Sequence, residues 1–276
     1  LNLFVTDLDK TFLRSDLSVS SYSRKVWNER VKKGDLLSVA TARSLKKSLE
    51  LLEGLELKIP LITLDGALVA TPQMEPIAVN SIDPDLAQEI IKIGLEFDIE
   101  PFIVGLENRE VLNEKFLYPK RLNRFQKTLI ESYKNDSRLR AKEKMAPLKE
   151  NLKIVYMGEE ADMRDLEREL KGTLKGAVET KLSADPYIDC HFLTVLHPNG
   201  DKSHALEELL EYLEGEVSQV NVFGDSLNDI GMFKKADLAI AVKNALTQVK
   251  EEADVILDHT NDEDGVARYL DGHYQQ

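Results

Sequence analysis

Short apolar runs alternate with amphipathic stretches over the first seventy residues. Residues 3–5 read as a buried strand, because β-branched and aromatic side chains suit a pleated interior. Residues 20–34 read as a helix: Tyr22, Val26 and Val31 share one face, and Gly34 supplies the C-terminal cap. A second strand is expected at 36–40. Ser44 then caps a helix carrying Leu45, Leu49 and Leu52, and a third strand covers 60–64. Asp65-Gly66 is a two-residue turn signal leading into 67–71. Strand, helix, strand, helix, strand predicts right-handed crossovers in a parallel sheet.

The pattern changes near Ile82. Pro84 lies in the first turn of a helix running to about Phe97, and 100–104 is extended. A polar, basic helical stretch covers 120–133, a strand 152–157, a helix 161–170, and two more strands 177–182 and 188–196. The basic run 138–149 reads as a solvated face or loop, since no aromatics interleave its charges. At His197 the first pattern resumes: helix 202–213, strand 217–223, short helix 229–235, strand 238–242, helix 246–252 and a last strand 255–257. The expected fold is α/β, a doubly wound, Rossmann-like parallel sheet built from residues 1–81 and 194–276. Residues 82–193 are expected as an inserted α+β cap domain with a largely antiparallel sheet.

Polar residues follow three of the core strands. Asp7 and Asp9 follow the first, and side chains at i and i+2 of extended chain point the same way, so both can converge on a cation and a phosphate. Taken alone, the pattern Asp-x-Asp-x-Thr is also a turn whose aspartates cap a helix. Ligands of doubly wound sheets bind beyond the carboxyl ends of the strands, and Asp7, Thr41 and Asp225 each stand at such an end. Clustered carboxylates without a His/Cys cluster suit magnesium better than zinc.

The order of Asp7-Leu8-Asp9-Lys10-Thr11, Thr41-Ala42-Arg43, Lys202 and Gly224-Asp225-Ser226-Leu227-Asn228-Asp229 resembles the haloacid dehalogenase superfamily of phosphotransferases. The ending Asn261-Asp262-Glu263-Asp264-Gly265-Val266-Ala267 resembles its Cof-type sugar-phosphatase branch. The likeness covers about residues 1–70 and 194–270. It implies an Mg2+-dependent phosphatase of small phosphomonoesters working through an aspartyl-phosphate. By that resemblance Asp7 is the nucleophile and Asp9 the general acid and then base. Magnesium is held by Asp7, Asp225 and the backbone carbonyl of Asp9, with Asp229 ligating or orienting a bound water. Thr41 donates to a phosphoryl oxygen, Lys202 balances charge, Asn228 donates to the phosphate, and backbone amides after Leu8, with Ala42 and Arg43, complete the phosphate site. Lys10 stands where glycine is common, Ala42 where glycine is frequent, and Asp65 where asparagine is frequent. Asp258 and Asn261 either orient the edge of the site or serve as caps.

Composition narrows the alternatives. A hydrophobic content of 42% over 276 residues supports a proper core. No run of 18 apolar residues exists, so no membrane span is expected. Leu1 is not an initiator, so a preceding residue or more is expected; the start shows no basic, apolar leader, and a cytoplasmic location is expected. A net charge of −13 argues against nucleic acid or anionic membrane as partner and leaves a small phosphorylated metabolite. Cys190, the one cysteine, allows no intrachain disulfide and reads as a packed residue of the strand-like run from Tyr187 to Leu196. A phosphomutase and a non-catalytic phosphate- and metal-binding regulator are the competing functions. A receiver domain is about half as long and lacks an insertion. In the cap, Arg109, Lys181 and His191 are polar candidates for substrate contact, and closure of the cap over the strand ends is the expected source of specificity.

Overall fold

The computed structural model describes residues 1–185 and 188–272, and divides into two compact units, Leu1–Ala78 with Asp201–Gln276, and Val79–Gly200. In chain order the first unit opens with strand β1 (Asn2–Thr6), helix α1 (Ser21–Lys32), β2 (Leu36–Val39), α2 (Leu45–Leu51), β3 (Leu61–Thr63), β4 (Leu68–Ala70) and β5 (Pro76–Val79). The second contains α3 (Pro84–Glu96), β6 (Phe102–Leu106), β7 (Lys115–Pro119), α4 (Arg124–Ser132), β8 (Leu139–Lys142), β9 (Glu150–Gly158), α5 (Glu160–Leu174), β10 (Glu179–Asp185) and β11 (Cys190–Leu196). The chain then returns through α6 (Lys202–Tyr212), β12 (Gln219–Gly224), α7 (Ile230–Phe233), β13 (Leu238–Ala241), α8 (Thr247–Glu251), β14 (Val255–Ile256) and α9 (Gly265–Leu270).

The core sheet has the order β14-β13-β12-β1-β2, all parallel. β3 adjoins β2 through a parallel bridge between Ala40 and Ile62 and turns back through β4 and β5 as a small three-stranded sheet. The register aligns strand ends: Thr6 lies opposite Phe223 on one side and Val39 on the other. Asp7, Asp225 and Thr41 are therefore brought to one edge by pairing alone. β1 is the central strand, and Leu3 and Val5 are fully buried, as a strand covered on both faces requires.

In the second unit the sheet order is β10-β11-β9-β6-β7-β8, antiparallel except for the β7–β8 pair. α3 and α5 cover one face through Ile90, Ile91, Met163 and Leu166, packed on Ile103, Ile154 and Leu193. The units change over a few residues outside the expected 82 and 193, because β11 continues pairing to Leu196. One expectation needs correction. The helical stretch expected at 120–133 starts only at Arg124, where Asn123 and Gln126 form a reciprocal capping box, and the strand β7 before it was not foreseen. The run 138–149, expected as a solvated face or loop, includes the edge strand β8, whose side chains are mostly exposed as a solvated face requires; just before it Arg138 reaches Glu114, which precedes β7. Tyr187 lies outside the described residues; Cys190 is buried, and burial pushes its thiol up to about 11. Among the described residues no helix is long and apolar enough to cross a membrane.

Candidate active site

Asp7 leaves β1 at its carboxyl end, its N–H donating to the Phe223 carbonyl at 3.0 Å. Its side chain is buried and accepts from Lys202 Nζ at 2.6 Å through Oδ1. Lys202 opens α6, whose start is fixed by Asp201 accepting from the N–H groups of Ser203 and His204. Glycine is required nearby. Gly66 has φ 110°, and a Cβ there would lie 2.2 Å from the Asp201 carbonyl oxygen, so the β3–β4 turn can abut the start of α6 only without a side chain.

Lys202 is fully buried and donates equally to Asp229 Oδ1 at 2.7 Å. The other oxygen of Asp229 accepts from the N–H groups of Asp225 and Ser226 at 3.0 and 3.1 Å, folding the turn after β12 around it. Gly224 makes room for this: a Cβ there would meet Asp229 Cβ at 2.6 Å. Asp225 accepts from Thr11 Oγ1 at 3.0 Å. Oxygens of Asp7, Asp225 and Asp229 all lie within 4.8 Å of one another, and all three side chains are buried.

Asp7 and Asp229 thus grip one buried lysine, and Asp225 is clustered with them. Burial holds Asp7 well above the usual carboxylate range, Asp229 and Asp225 adding to the effect against the pull of Lys202. Burial, with Asp229 beside it, pushes Asp225 up to about 6. Burial works to neutralise Lys202, but Asp229 and Asp7 outweigh it and hold the ammonium charged. Surplus buried negative charge on converging oxygens is what a hard divalent cation would neutralise, so this donor set fits one.

The remaining expected residues divide. Thr41 is fully buried beyond β2, where its N–H donates to the Ile62 carbonyl and its hydroxyl accepts from the Arg43 N–H at 3.2 Å. Leu8 is buried and Ala42 exposed. Asp9 does not join the three carboxylates. It sits 42% exposed in the turn after β1 and is gripped by the Arg43 guanidinium. The Asn228 Oδ1 accepts from Ser226 Oγ at 2.6 Å. Asp65 is buried with φ 63°. Asn261 is a brace: its amide donates to the Leu13 carbonyl, and its N–H donates to Asn244 Oδ1. Asp258 is exposed. In the second unit Arg109 pairs with Glu150, His191 lies 3.9 Å from Glu160, and Lys181 Nζ is buried without a hydrogen-bond partner among the described residues.

Two contributors were given no role by sequence reasoning. Thr11 positions Asp225, and its place two residues after Asp9 was the available signal. Asn244 donates to the Lys10 carbonyl at 2.7 Å and so holds the turn where Lys10 takes φ 60°. Nothing in the loop after β13 marks it in advance.

Comparison with known proteins agrees with this architecture. Two relatives from Bacillus subtilis (strain 168), both named 5-amino-6-(5-phospho-D-ribitylamino)uracil phosphatase, are 22% and 29% identical. They align over 97% and 98% of this chain and 96% and 94% of their own. The structure of a haloacid dehalogenase-like hydrolase from Bacteroides thetaiotaomicron matches with a TM-score of 0.79 at 23% identity, covering 99% of each chain. A structure from Thermotoga maritima matches at 0.77 and 23%, over 99% of this chain and 98% of that one. The sequence model of the haloacid dehalogenase-like hydrolases matches residues 4–270, nearly the whole length, and the chain belongs to that family.

Proposed function

We propose that this protein is a magnesium-dependent phosphatase of small phosphomonoesters that carries the phosphoryl group on Asp7. The observation that supports it most is the buried grouping of Asp7, Lys202, Asp225 and Asp229 at aligned strand ends. Its chemistry suits phosphoryl transfer, which needs a fixed nucleophile and positive charge around the equatorial oxygens. Asp7, Asp225 and Asp229, with the backbone carbonyl of Asp9, would hold Mg2+. That ion, when bound, supplies charge neutralisation for the phosphoryl oxygens.

The protein's own groups divide the work. Lys202 aims Asp7 and pulls it toward the ionised form against its burial, which matters because a protonated carboxyl is a poor nucleophile. In the first step an Asp7 oxygen bonds to phosphorus, the ester P–O bond breaks, and the leaving oxygen takes its electron pair and the proton of Asp9. In the second, water bonds to phosphorus, the Asp7–phosphorus bond breaks, and Asp9 accepts the proton of the water. Thr41 and Asn228 contribute donors to the phosphoryl oxygens. Residues Leu1–Ala78 with Asp201–Gln276 form the catalytic core of this reading and Val79–Gly200 the inserted cap. The relatives' named substrate is a ribityl phosphate on a heterocycle, which supports a phosphorylated polyol, sugar or nucleotide-like metabolite here.

The test is phosphate release from a panel of phosphorylated metabolites, including 5-amino-6-(5-phospho-D-ribitylamino)uracil, with purified protein and magnesium and Asp7→Asn as the blank. Release from particular metabolites is expected. Isomerised substrate without free phosphate would instead mean a mutase, and no turnover of any ester would refute the reading.

A further inference from the structure

Arg43 and Asp9 form a two-pronged pair. Arg43 Nε donates to Asp9 Oδ2 at 2.8 Å and Nη2 to Oδ1 at 2.6 Å. A planar guanidinium fork meeting both carboxylate oxygens fixes the plane of the carboxyl as well as its position. Both ends of the pair are launched from rigid backbone. The Arg43 N–H donates to Thr41 Oγ1, and its carbonyl accepts from the Leu64 N–H at 2.9 Å. The turn bearing Asp9 is held at its next residue, where Asn244 donates to the Lys10 carbonyl. Asp9 has no place among the buried carboxylates and is partly open to water, so without Arg43 its side chain would be free to rotate into solvent.

We infer that Arg43 is the positioning residue of Asp9, acting on the leaving group through that carboxyl rather than as a ligand of the phosphoryl group. The inference rests on the reaction proposed above. When Asp9 carries its proton, the guanidinium can keep one hydrogen bond to the carbonyl oxygen and leave the hydroxyl oxygen to face the leaving group. In the step that accepts the proton of water, the fork on both carboxyl oxygens holds Asp9 in the geometry seen here. The consequence is a dependence on leaving group. Formation of the phospho-enzyme governs kcat/KM, and only a poor leaving group needs a proton in that step. An arginine that binds the phosphoryl oxygens, or one that only supports the fold, would serve all esters alike.

The experiment compares kcat/KM for 4-nitrophenyl phosphate, which needs little protonation, and for ribitol 5-phosphate or the fastest alkyl ester of the panel. The proteins are wild type, Arg43→Gln, Arg43→Lys, Asp9→Asn and the double variant Asp9→Asn/Arg43→Gln. Arg43→Gln should lower the alkyl-to-aryl ratio about tenfold or more, part of the ~100-fold or greater effect of a general acid. Arg43→Lys, which keeps one hydrogen bond, should recover part of that ratio. In the Asp9→Asn background Arg43→Gln should change the ratio less than about twofold. If Arg43→Gln does not fold, Arg43→Lys carries the test with a drop of about threefold. Equal losses on both esters, a rise in the ratio, or an undiminished effect in the Asp9→Asn background would overturn the assignment. Wild-type protein that hydrolyses neither ester would overturn the phosphatase reading itself, and this inference with it.

Discussion

Asp7 and Asp9 stand two residues apart on one strand end, yet they occupy opposite environments. Asp7 is buried against Lys202 and shares that cation with Asp229. Asp9 is partly exposed and has Arg43 for its two-pronged partner. The buried carboxylate cannot be left unpaired, because an uncompensated buried charge is heavily destabilising. The exposed one can exchange partners and protons at little expense, because water is always an alternative. A buried carboxylate and a water-accessible one can thus come from the same short motif, separated by depth of burial.

This contrast can be broken at several points. The largest effect should follow Asp7→Asn, which removes the proposed nucleophile and one proposed cation ligand while keeping the shape. Turnover should fall by at least about a thousandfold with an unchanged circular dichroism spectrum. A wild-type rate from this variant would place the chemistry elsewhere. Next is removal of the metal: excess chelator should abolish nearly all phosphate release, magnesium should restore it, and calcium should bind with little recovery, since its larger and more variable shell relaxes the in-line geometry. Full activity in chelator would contradict the reading of the acidic cluster.

The two ion pairs themselves can be compared in urea melts of the chelated protein at pH 7. Lys202→Met strands three carboxylates in the interior and should destabilise by about 3 kcal/mol or more. Arg43→Gln breaks a pair at the solvent boundary and should destabilise by less than about 1 kcal/mol. Equal losses would erase the distinction. The smallest expected effect concerns Asp225. Its folded-state value of about 6 exceeds the ordinary carboxylate value of 3.8, so the folded protein binds more protons between these values. Its contribution to stability therefore falls as pH rises from about 4 to about 6 and is level above. Asp225→Asn keeps the acceptor for Thr11 and should remove that slope, raising stability of the chelated protein by about 1–3 kcal/mol at pH 7. An unchanged slope would show that Asp225 is not under that strain.

Sequence legibility follows the same division between local pattern and long-range pairing. β1, β2 and β12 were readable because each is a short apolar run ending in a polar residue, and parallel register then dictates that Asp7, Thr41 and Asp225 meet. β7 and β8 were not. Leu139–Lys142 is a polar edge strand with mostly exposed side chains, and its place depends on Arg138 reaching Glu114 across twenty-odd residues of chain. Arg43 shows the same limit within the site. Its residue type and position pointed to phosphate through resemblance, whereas its partner in space, Asp9, lies on another strand end. Asn244 was invisible for the same reason, since its bonds run to Lys10 and Asn261.

The account turns on a phosphoryl group carried by Asp7, and Asp9→Asn with 32P-labelled 4-nitrophenyl phosphate tests it most directly. This ester leaves without protonation, but hydrolysis of the phospho-enzyme then lacks its base. The account predicts a burst of about one nitrophenolate per site, label that survives acid quench, and mapping of that label to Asp7. Release that is linear from the first turnover with no label on the protein, or label on another residue, would contradict it.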